Sequence, residues 1–161
     1  MRLDFSKVGA KTIINIDENS STLKKYNHSS VIEEINSVTG TITAERADEV
    51  IIVTYNLKAD LLVHSSISGD LFDYKMKVNE TLYYTNNKAL ESEDIFFEDK
   101  DYIELNDDIY SLIVTNLPIK LHKKGEKYPS GDNYRVLTED ELNEDSGDQT
   151  SPFDVLKDLD L

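Results

Sequence analysis

Hydrophobic and polar residues alternate along two long stretches of this chain, and a two-residue period is typical of β-strands with one buried face. The apolar residues occupy odd positions from Ile51 to Val63 and even positions from Phe72 to Tyr84. Between them, Ser68-Gly69-Asp70 is typical of a tight turn. We therefore predict an antiparallel hairpin of residues 50–63 and 70–84. The side chains expected on its core face are Val53, Tyr55, Leu61, Phe72, Met76 and Leu82.

Further strands are predicted before this hairpin. Residues 32–42 favour a strand because Val, Thr and Ile dominate their second half, although Ser30 and Glu33 also fit the capping box of a short helix. Short strands are predicted at residues 3–5 and 12–16, and a turn of helix at residues 20–25. Long strands usually twist and bend. The predicted fold class is α+β and predominantly antiparallel β, with a twisted sheet or partly open barrel, a long hairpin, one or two short helices and a flexible acidic C-terminal tail.

One amphipathic helix is predicted after the hairpin. Asn106 or Asp107 can cap its start, acidic residues suit its first turn, and Pro118 ends it. Its apolar face would carry Ile109, Leu112, Ile113 and Leu117. Residues 86–100 and 119–135 have the composition of loops.

The length of 161 residues suits one domain, predicted at residues 1–142, followed by a tail of residues 143–161. Residues 143–150 are too polar to offset their ordering entropy by burial, which predicts a flexible linker. The tail would end in a short docking segment with three apolar residues at regular spacing, Phe153, Leu156 and Leu159.

The sequence has no run of 18 apolar residues, no signal-peptide pattern and no cysteine. These absences predict a cytoplasmic protein that does not contact the membrane. They also exclude disulfides, thiolate metal ligands and cysteine nucleophiles.

The net charge of −15 resides in two segments, and the rest of the chain is close to neutral. Residues 91–108 and residues 139–161 each hold nine acids against a single lysine. A basic stretch separates them and is the best candidate for contact with phosphate, the alternative being an ordinary solvated loop. Its candidate RNA-contact residues are Lys120, Lys123, Lys124, Lys127 and Arg135.

Other groupings of polar residues argue against an enzyme. The acids of residues 94–104 lack the spacing of a calcium loop, and the six glycines occur singly at turns instead of forming a phosphate-binding loop. His64 and Ser65 are adjacent on a strand, so their side chains point to opposite faces. We expect no catalytic, cofactor-binding or metal site and no small-molecule substrate. Tyr83 could stack on a base, because alternation places Tyr84 in the core.

Several motifs follow one another along the chain, after the hairpin and from within the acidic stretch that comes next. They are Ile103-Glu104-Leu105-Asn106-Asp107-Asp108-Ile109, Leu117-Pro118, Pro129-Ser130-Gly131-Asp132-Asn133-Tyr134-Arg135 and Ser151-Pro152-Phe153-Asp154-Val155-Leu156-Lys157-Asp158-Leu159. In this order the chain, from about residue 32 onward, resembles the YceD-like family, the bacterial large ribosomal RNA subunit accumulation proteins. One departure lies at the hairpin turn. Members often carry Cys or Ser followed by Arg and Leu there, whereas this chain has His64-Ser65-Ser66-Ile67-Ser68.

The resemblance implies a non-enzymatic ribosome-biogenesis factor that supports synthesis or accumulation of large-subunit (23S) ribosomal RNA. The partners it implies are large-subunit rRNA or a pre-ribosomal particle, without a cofactor. The charge distribution leaves a second hypothesis open. An acidic adaptor or chaperone-like module could bind basic ribosomal proteins through residues 91–108 and 139–161.

Overall fold

A computed structural model of the chain describes residues 1–19, 29–134 and 136. The chain divides into two compact units, Met1–Leu121 and His122–Leu161. In the second unit, a β-bridge joins Gly131 and Tyr134. Residues 137–161 lie outside the described part, so the predicted domain of residues 1–142 and the predicted tail stay predictions. The turn of helix predicted at residues 20–25 also lies outside the described residues.

The first unit contains seven strands and one α-helix among its described residues. In chain order they are β1 (Arg2–Asp4), β2 (Thr12–Asn19), β3 (Ile32–Ala47), β4 (Val50–His64), β5 (Leu71–Thr85), β6 (Ile95–Phe97), β7 (Tyr102–Glu104) and α1 (Leu105–Thr115). Two single-turn 3-10 helices span Phe5–Lys7 and Lys88–Leu90. The predicted α+β class with mainly antiparallel strands is confirmed. None of the described helices has the length and apolar composition that a membrane span requires.

Five strands form one open sheet in the order β2-β3-β4-β5-β6. The predicted hairpin is confirmed, because β4 pairs antiparallel with β5 from Val50 opposite Thr85 to His64 opposite Leu71. Residues 32–42 belong to β3, so the strand and not the capped helix is correct there. A separate two-stranded ribbon pairs β1 with β7.

The hydrophobic core covers one face of the sheet. Val53, Tyr55 and Leu61 are fully buried and Met76 nearly so, as predicted, while Phe72 and Leu82 are partly buried against the same core. The ribbon and the helix contribute six further residues to this cluster: Leu3, Ile103, Leu105, Ile109, Leu112 and Ile113. The opposite face of the sheet therefore carries the polar positions of the alternating strands.

The start of the helix differs from the prediction. Neither Asn106 nor Asp107 caps α1, because the helix begins at Leu105 with Glu104 at the N-cap and without a side-chain cap. The Leu105 main-chain N–H donates to the carbonyl oxygen of Met1 (2.9 Å), so the ribbon supplies an acceptor that a capping side chain would otherwise provide. α1 ends at Thr115, three residues before Pro118.

The loop predicted over residues 86–100 is wrong for its central part. Residues 95–97 form β6, which pairs parallel with residues 83–85 of β5. The strand is too short to show a periodicity of its own, and only pairing with β5 defines it. At the N-terminus, β1 covers residues 2–4 instead of 3–5, because Phe5 begins a 3-10 helix.

Candidate functional site

The face of the sheet opposite the core is polar across β3, β4 and β5, and we call it the outer sheet face. Strand register arranges its side chains in rows that run across the three strands. The rows are Thr43–Thr54–Thr81, Thr41–Asn56–Asn79, Thr39–Lys58–Lys77 and Ser37–Asp60–Lys75. The face is thus a surface of hydroxyl, amide and ammonium groups held on paired strands.

Three exposed lysines of this face form a cluster. Lys58 lies directly opposite Lys77 in the register, and Lys75 lies opposite Asp60. Lys75 Nζ is 3.5 Å from Asp60 Oδ2, whereas neither Lys58 nor Lys77 has an ion-pair partner among the described residues. Like charges directly opposite each other on a sheet destabilise it, by up to about 1 kcal/mol. The cluster therefore holds two positive charges in excess at a cost to the fold.

A shallow depression of about 370 Å³ lies over the lysine cluster. Its lining consists of Ser37, Thr39, Lys58, Ala59, Asp60, Lys75, Met76 and Lys77. Ammonium and hydroxyl groups are the donors that phosphate oxygens accept in nucleic-acid complexes. Asp17 on β2 and Asp73 on β5 border the cluster, so the positive surface is small and bounded. The arrangement suits contact with a few phosphates of a polyanion.

Tyr83 lies at the other end of the outer sheet face. Tyr83 is 39 % exposed and Tyr84 is 3 % exposed. This confirms the prediction that Tyr84 lies in the core and that Tyr83 is accessible. Tyr83 and Lys77 are six residues apart on β5, which is about 20 Å along a strand. A single-stranded segment that crosses the face could therefore meet lysines at one end and an aromatic ring at the other.

The residues predicted from the basic stretch are divided between the two units. Lys120 belongs to the first unit, and Lys123, Lys124 and Lys127 belong to the second; all four are exposed. The Lys123 main-chain N–H donates to Glu126 Oε2 (3.0 Å). The prediction that these residues contact RNA stays a prediction. Four predicted contact or docking residues lie outside the described residues: Arg135, Phe153, Leu156 and Leu159.

The lysine cluster was missed by inspection of the sequence because Lys58 is far from Lys75 and Lys77 along the chain. The hairpin prediction did not contain the register. The observed register is centred between residues 67 and 68 and pairs residue 58 with residue 77. The predicted turn, Ser68-Gly69-Asp70, is centred on Gly69 and would have paired residue 58 with residue 80 instead.

The hairpin turn has its own hydrogen bonds at the point where the sequence departs from the YceD-like pattern. Ser65 is buried, and its Oγ accepts the main-chain N–H groups of Ile67 (3.1 Å) and Ser68 (3.3 Å). His64 Nε2 lies 3.1 Å from Glu33 Oε2. These side chains organise the turn.

A buried polar cluster joins the sheet to α1. The Tyr55 hydroxyl donates a hydrogen bond to Asp108 Oδ2, and Tyr84 also interacts with this carboxylate. Burial raises the pKa of the Asp108 carboxyl, and the hydrogen bonds from the two tyrosines oppose this change. The sequence indicated only that Asp108 suits the first turn of a helix, because the partner tyrosines are distant in the chain.

Replacing Asp108 with asparagine is expected to reduce the dependence of stability on pH. Because the folded-state pKa is raised, the carboxyl favours folding below its unfolded-state pKa of about 3.9, and this contribution is lost as the pH rises through the folded-state value. Asparagine keeps an acceptor for the Tyr55 hydroxyl without a buried charge. The free energy of unfolding of Asp108→Asn should therefore equal or exceed that of the wild type at neutral pH, and the difference should disappear in acid. Urea unfolding at both pH values measures the effect.

The exposed neighbour provides the matched control for this measurement. Asp107→Asn removes the same formal charge one residue away but leaves the buried carboxyl in place. Asp107 adds only repulsion to the raised pKa of Asp108, behind the larger effect of burial, so this variant should reduce the pH dependence much less than Asp108→Asn does. A loss of stability in Asp108→Asn that is larger at neutral pH than in acid would contradict the expected sign.

Within the described residues, no group of three or more His, Asp or Glu side chains is arranged to hold a metal ion. No protein-family model, curated protein or solved structure matches this chain. The geometry of the outer sheet face and the motifs of the sequence are therefore the basis for a functional proposal.

Proposed function

We propose that the protein is a non-enzymatic, cytoplasmic RNA-binding factor that supports synthesis or accumulation of large-subunit (23S) ribosomal RNA. Its RNA contact is the lysine cluster of the outer sheet face. The observation that supports this contact is the placement of Lys58 directly opposite Lys77 on paired strands. A sheet gains nothing from such a pair, whereas a bound phosphate would neutralise it. The choice of ribosomal RNA as the target comes from the resemblance to the YceD-like family.

The acidic segment of residues 91–108 does not oppose local binding of phosphate. The acidic segment of residues 91–108 approaches the sheet where Ile95 pairs with Tyr83, six residues along β5 from Lys77. That separation is about 20 Å, more than twice the Debye length of about 8 Å at physiological ionic strength. Charges so far apart are largely screened from each other, and the lysines present a positive surface to an approaching strand.

The proposal assigns affinity to the lysines and leaves selectivity to other contacts. Ammonium groups that meet phosphates position a nucleic acid without reading its sequence. Tyr83 could add base stacking, which is tolerant of sequence. The predicted contacts at Lys120, Lys123, Lys124, Lys127 and Arg135 are a second, separate set of candidate phosphate contacts.

An acidic adaptor for basic ribosomal proteins is the second candidate function. The observation that favours it is the crowding of carboxylates at the start of α1. Burial raises the pKa of Glu98, and repulsion by Asp108, Asp99 and Asp107 raises it further, although Lys100 opposes the change. A basic partner would relieve this repulsion.

Complementation of cells that lack the gene tests the proposed function. The variant Lys58→Gln/Lys75→Gln/Lys77→Gln should fold but support less 23S rRNA relative to 16S rRNA than the wild type. Lys100→Gln removes one exposed positive charge outside the outer sheet face and should support normal levels. Total RNA electrophoresis and quantitative hybridisation provide the ratio.

Two further variants separate the RNA-binding hypothesis from the adaptor hypothesis. Reversing Lys123, Lys124 and Arg135 to Glu tests the basic stretch, and we expect it also to reduce accumulation. Neutralising the acids Asp94, Glu98, Asp99 and Asp101 should leave accumulation largely intact if RNA binding is the function. The adaptor hypothesis would be favoured if rRNA levels are normal in the variant of the lysine cluster and in the variant of the basic stretch, while the acid-neutralised variant is defective.

A further inference from the structure

A cavity of about 490 Å³ lies where the end of β5, β6 and α1 meet, away from the lysine cluster. Its size falls within the usual range for ligand pockets. The residues that line it are Leu82, Tyr84, Phe96, Phe97, Glu98, Asp108, Ser111, Leu112 and Thr115. Apolar and aromatic side chains dominate this lining, and the two charged groups in it are both carboxylates.

The aromatic side chains give the cavity a specific chemistry. Phe96 is 49 % exposed although it is a large apolar residue, whereas Tyr84 beneath it is 3 % exposed. Their ring centroids are 5.7 Å apart and the planes are tilted by 37°. An accessible aromatic ring close to carboxylates is the combination that recognises organic cations. The face of the ring carries partial negative charge and the carboxylate carries a full one, so both attract a cation.

Two further depressions adjoin this cavity. One of about 600 Å³ shares Leu82 and Phe96 with it and includes Glu93 and Asp94. The other, of about 130 Å³, shares Glu98 and Asp108 with it. The cavity and the smaller depression form a groove with four carboxylates and one ammonium group in its lining: Glu98, Glu104, Asp107, Asp108 and Lys100. Of these carboxylates, Glu104 is already paired with Arg2 and the N-terminus. The larger depression includes Thr81 and Tyr83 of the outer sheet face and is not part of this groove. An acidic groove of this kind fits an extended basic chain better than a single small cation.

We propose that this groove binds a basic polypeptide segment and that the central cavity takes an arginine side chain between Phe96 and Glu98. Arginine fits better than lysine because its planar guanidinium can stack on a ring and bind a carboxylate with two parallel hydrogen bonds. The inference is independent of RNA binding by the lysine cluster, because the two sites share no residue.

Two properties of the groove support this assignment. Burial and the neighbouring Asp108 raise the pKa of the Glu98 carboxyl, so a cation in the cavity would be stabilised by both carboxylates. The surrounding rings already accept cations from the chain itself. Lys88 Nζ lies 4.8 Å from the centroid of Phe97, and Arg2 Cζ lies 4.4 Å from that of Tyr102.

Fluorescence anisotropy with the full-length protein tests the proposal. The probe is a short labelled peptide that alternates arginine and glycine, and the comparison peptide carries lysine in place of each arginine. We expect the arginine peptide to bind more tightly. Phe96→Leu, which keeps apolar volume but removes the ring, and Glu98→Gln should each weaken arginine-peptide binding about fivefold to tenfold.

Asp99→Asn is the matched control, because it removes the same charge one residue from Glu98 but outside the cavity lining. It should change affinity less than twofold, and all three variants should bind RNA as the wild type does. Equal losses in Glu98→Gln and Asp99→Asn, or full affinity in Phe96→Leu, would show that peptide binding reflects only the overall negative charge and would overturn the proposal. Thermal unfolding confirms that each variant is folded.

Discussion

Replacement of Gly40 by alanine is expected to lower the free energy of unfolding by about 3–5 kcal/mol. Gly40 lies within β3 with a φ of 145°, a conformation that side chains other than glycine rarely adopt. A Cβ atom added there would lie 2.1 Å from the carbonyl oxygen of Asn56 and 2.9 Å from the Cα of Leu57. Both atoms belong to the backbone of β4, so no side-chain rotation can relieve the clash. The two central strands would have to separate locally.

Two other glycines provide matched controls for this prediction. Gly69 has a φ of 77° but open space around it, so Gly69→Ala should cost only about 1–2 kcal/mol of backbone strain. Gly9 has neither a positive φ nor an atom within 4 Å of the added Cβ, and Gly9→Ala should change stability by less than about 0.5 kcal/mol. Urea unfolding gives the three values. A cost for Gly40→Ala no greater than that for Gly69→Ala would mean that the strands absorb the methyl group.

The second large effect is expected in RNA binding. The variant Lys58→Gln/Lys75→Gln/Lys77→Gln should bind single-stranded RNA about 100- to 200-fold more weakly at low salt, since each of the three lost phosphate contacts is worth about 1 kcal/mol. The dependence of log affinity on log salt should also become shallower, by about 0.7 for each lysine removed. The loss should be similar for RNAs of different sequence, because phosphate contacts do not read bases. Filter binding over a salt series measures both quantities.

Stability measurements on the same lysines distinguish a binding role from a structural one. Removal of the like charge in Lys77→Gln should leave the free energy of unfolding unchanged or raise it by up to about 1 kcal/mol, while RNA affinity falls. Lys100→Gln should alter neither property appreciably. If Lys77→Gln destabilises the fold, or if Lys100→Gln weakens RNA binding as much as Lys77→Gln does, the lysine cluster is not the RNA contact.

The polar side of the sheet shows how far the candidate site could be predicted from the sequence. The alternation of β4 and β5 determined which residues face away from the core, and Lys58, Lys75 and Lys77 were already among the polar positions. Their proximity required the register, which depends on the centre of the turn. Inspection of the sequence instead favoured lysines that are close along the chain, at positions 120–127, because local density is visible without a register.

The groove beside α1 could not be predicted in the same way. Phe96 and Glu98 occur in a stretch with the composition of a loop, and β6 exists only because β5 offers an edge with which residues 95–97 pair. Asp108 is half-buried because the Tyr55 and Tyr84 hydroxyls reach it from two strands. No pattern within residues 91–108 encodes those partners.

The sequence by itself determined the long hairpin, strand β3, the buried face of the sheet and the approximate extent of α1. Each of these follows from a local period or from a short-range turn signal, because strand and helix geometry repeat over a few residues. The tertiary structure alone decided the parallel pairing of β6, the start of α1 at Leu105, the depression over the lysine cluster and the acidic groove. These features depend on residues distant in the chain, whose approach is set by the packing of the whole unit and leaves no local periodicity to read.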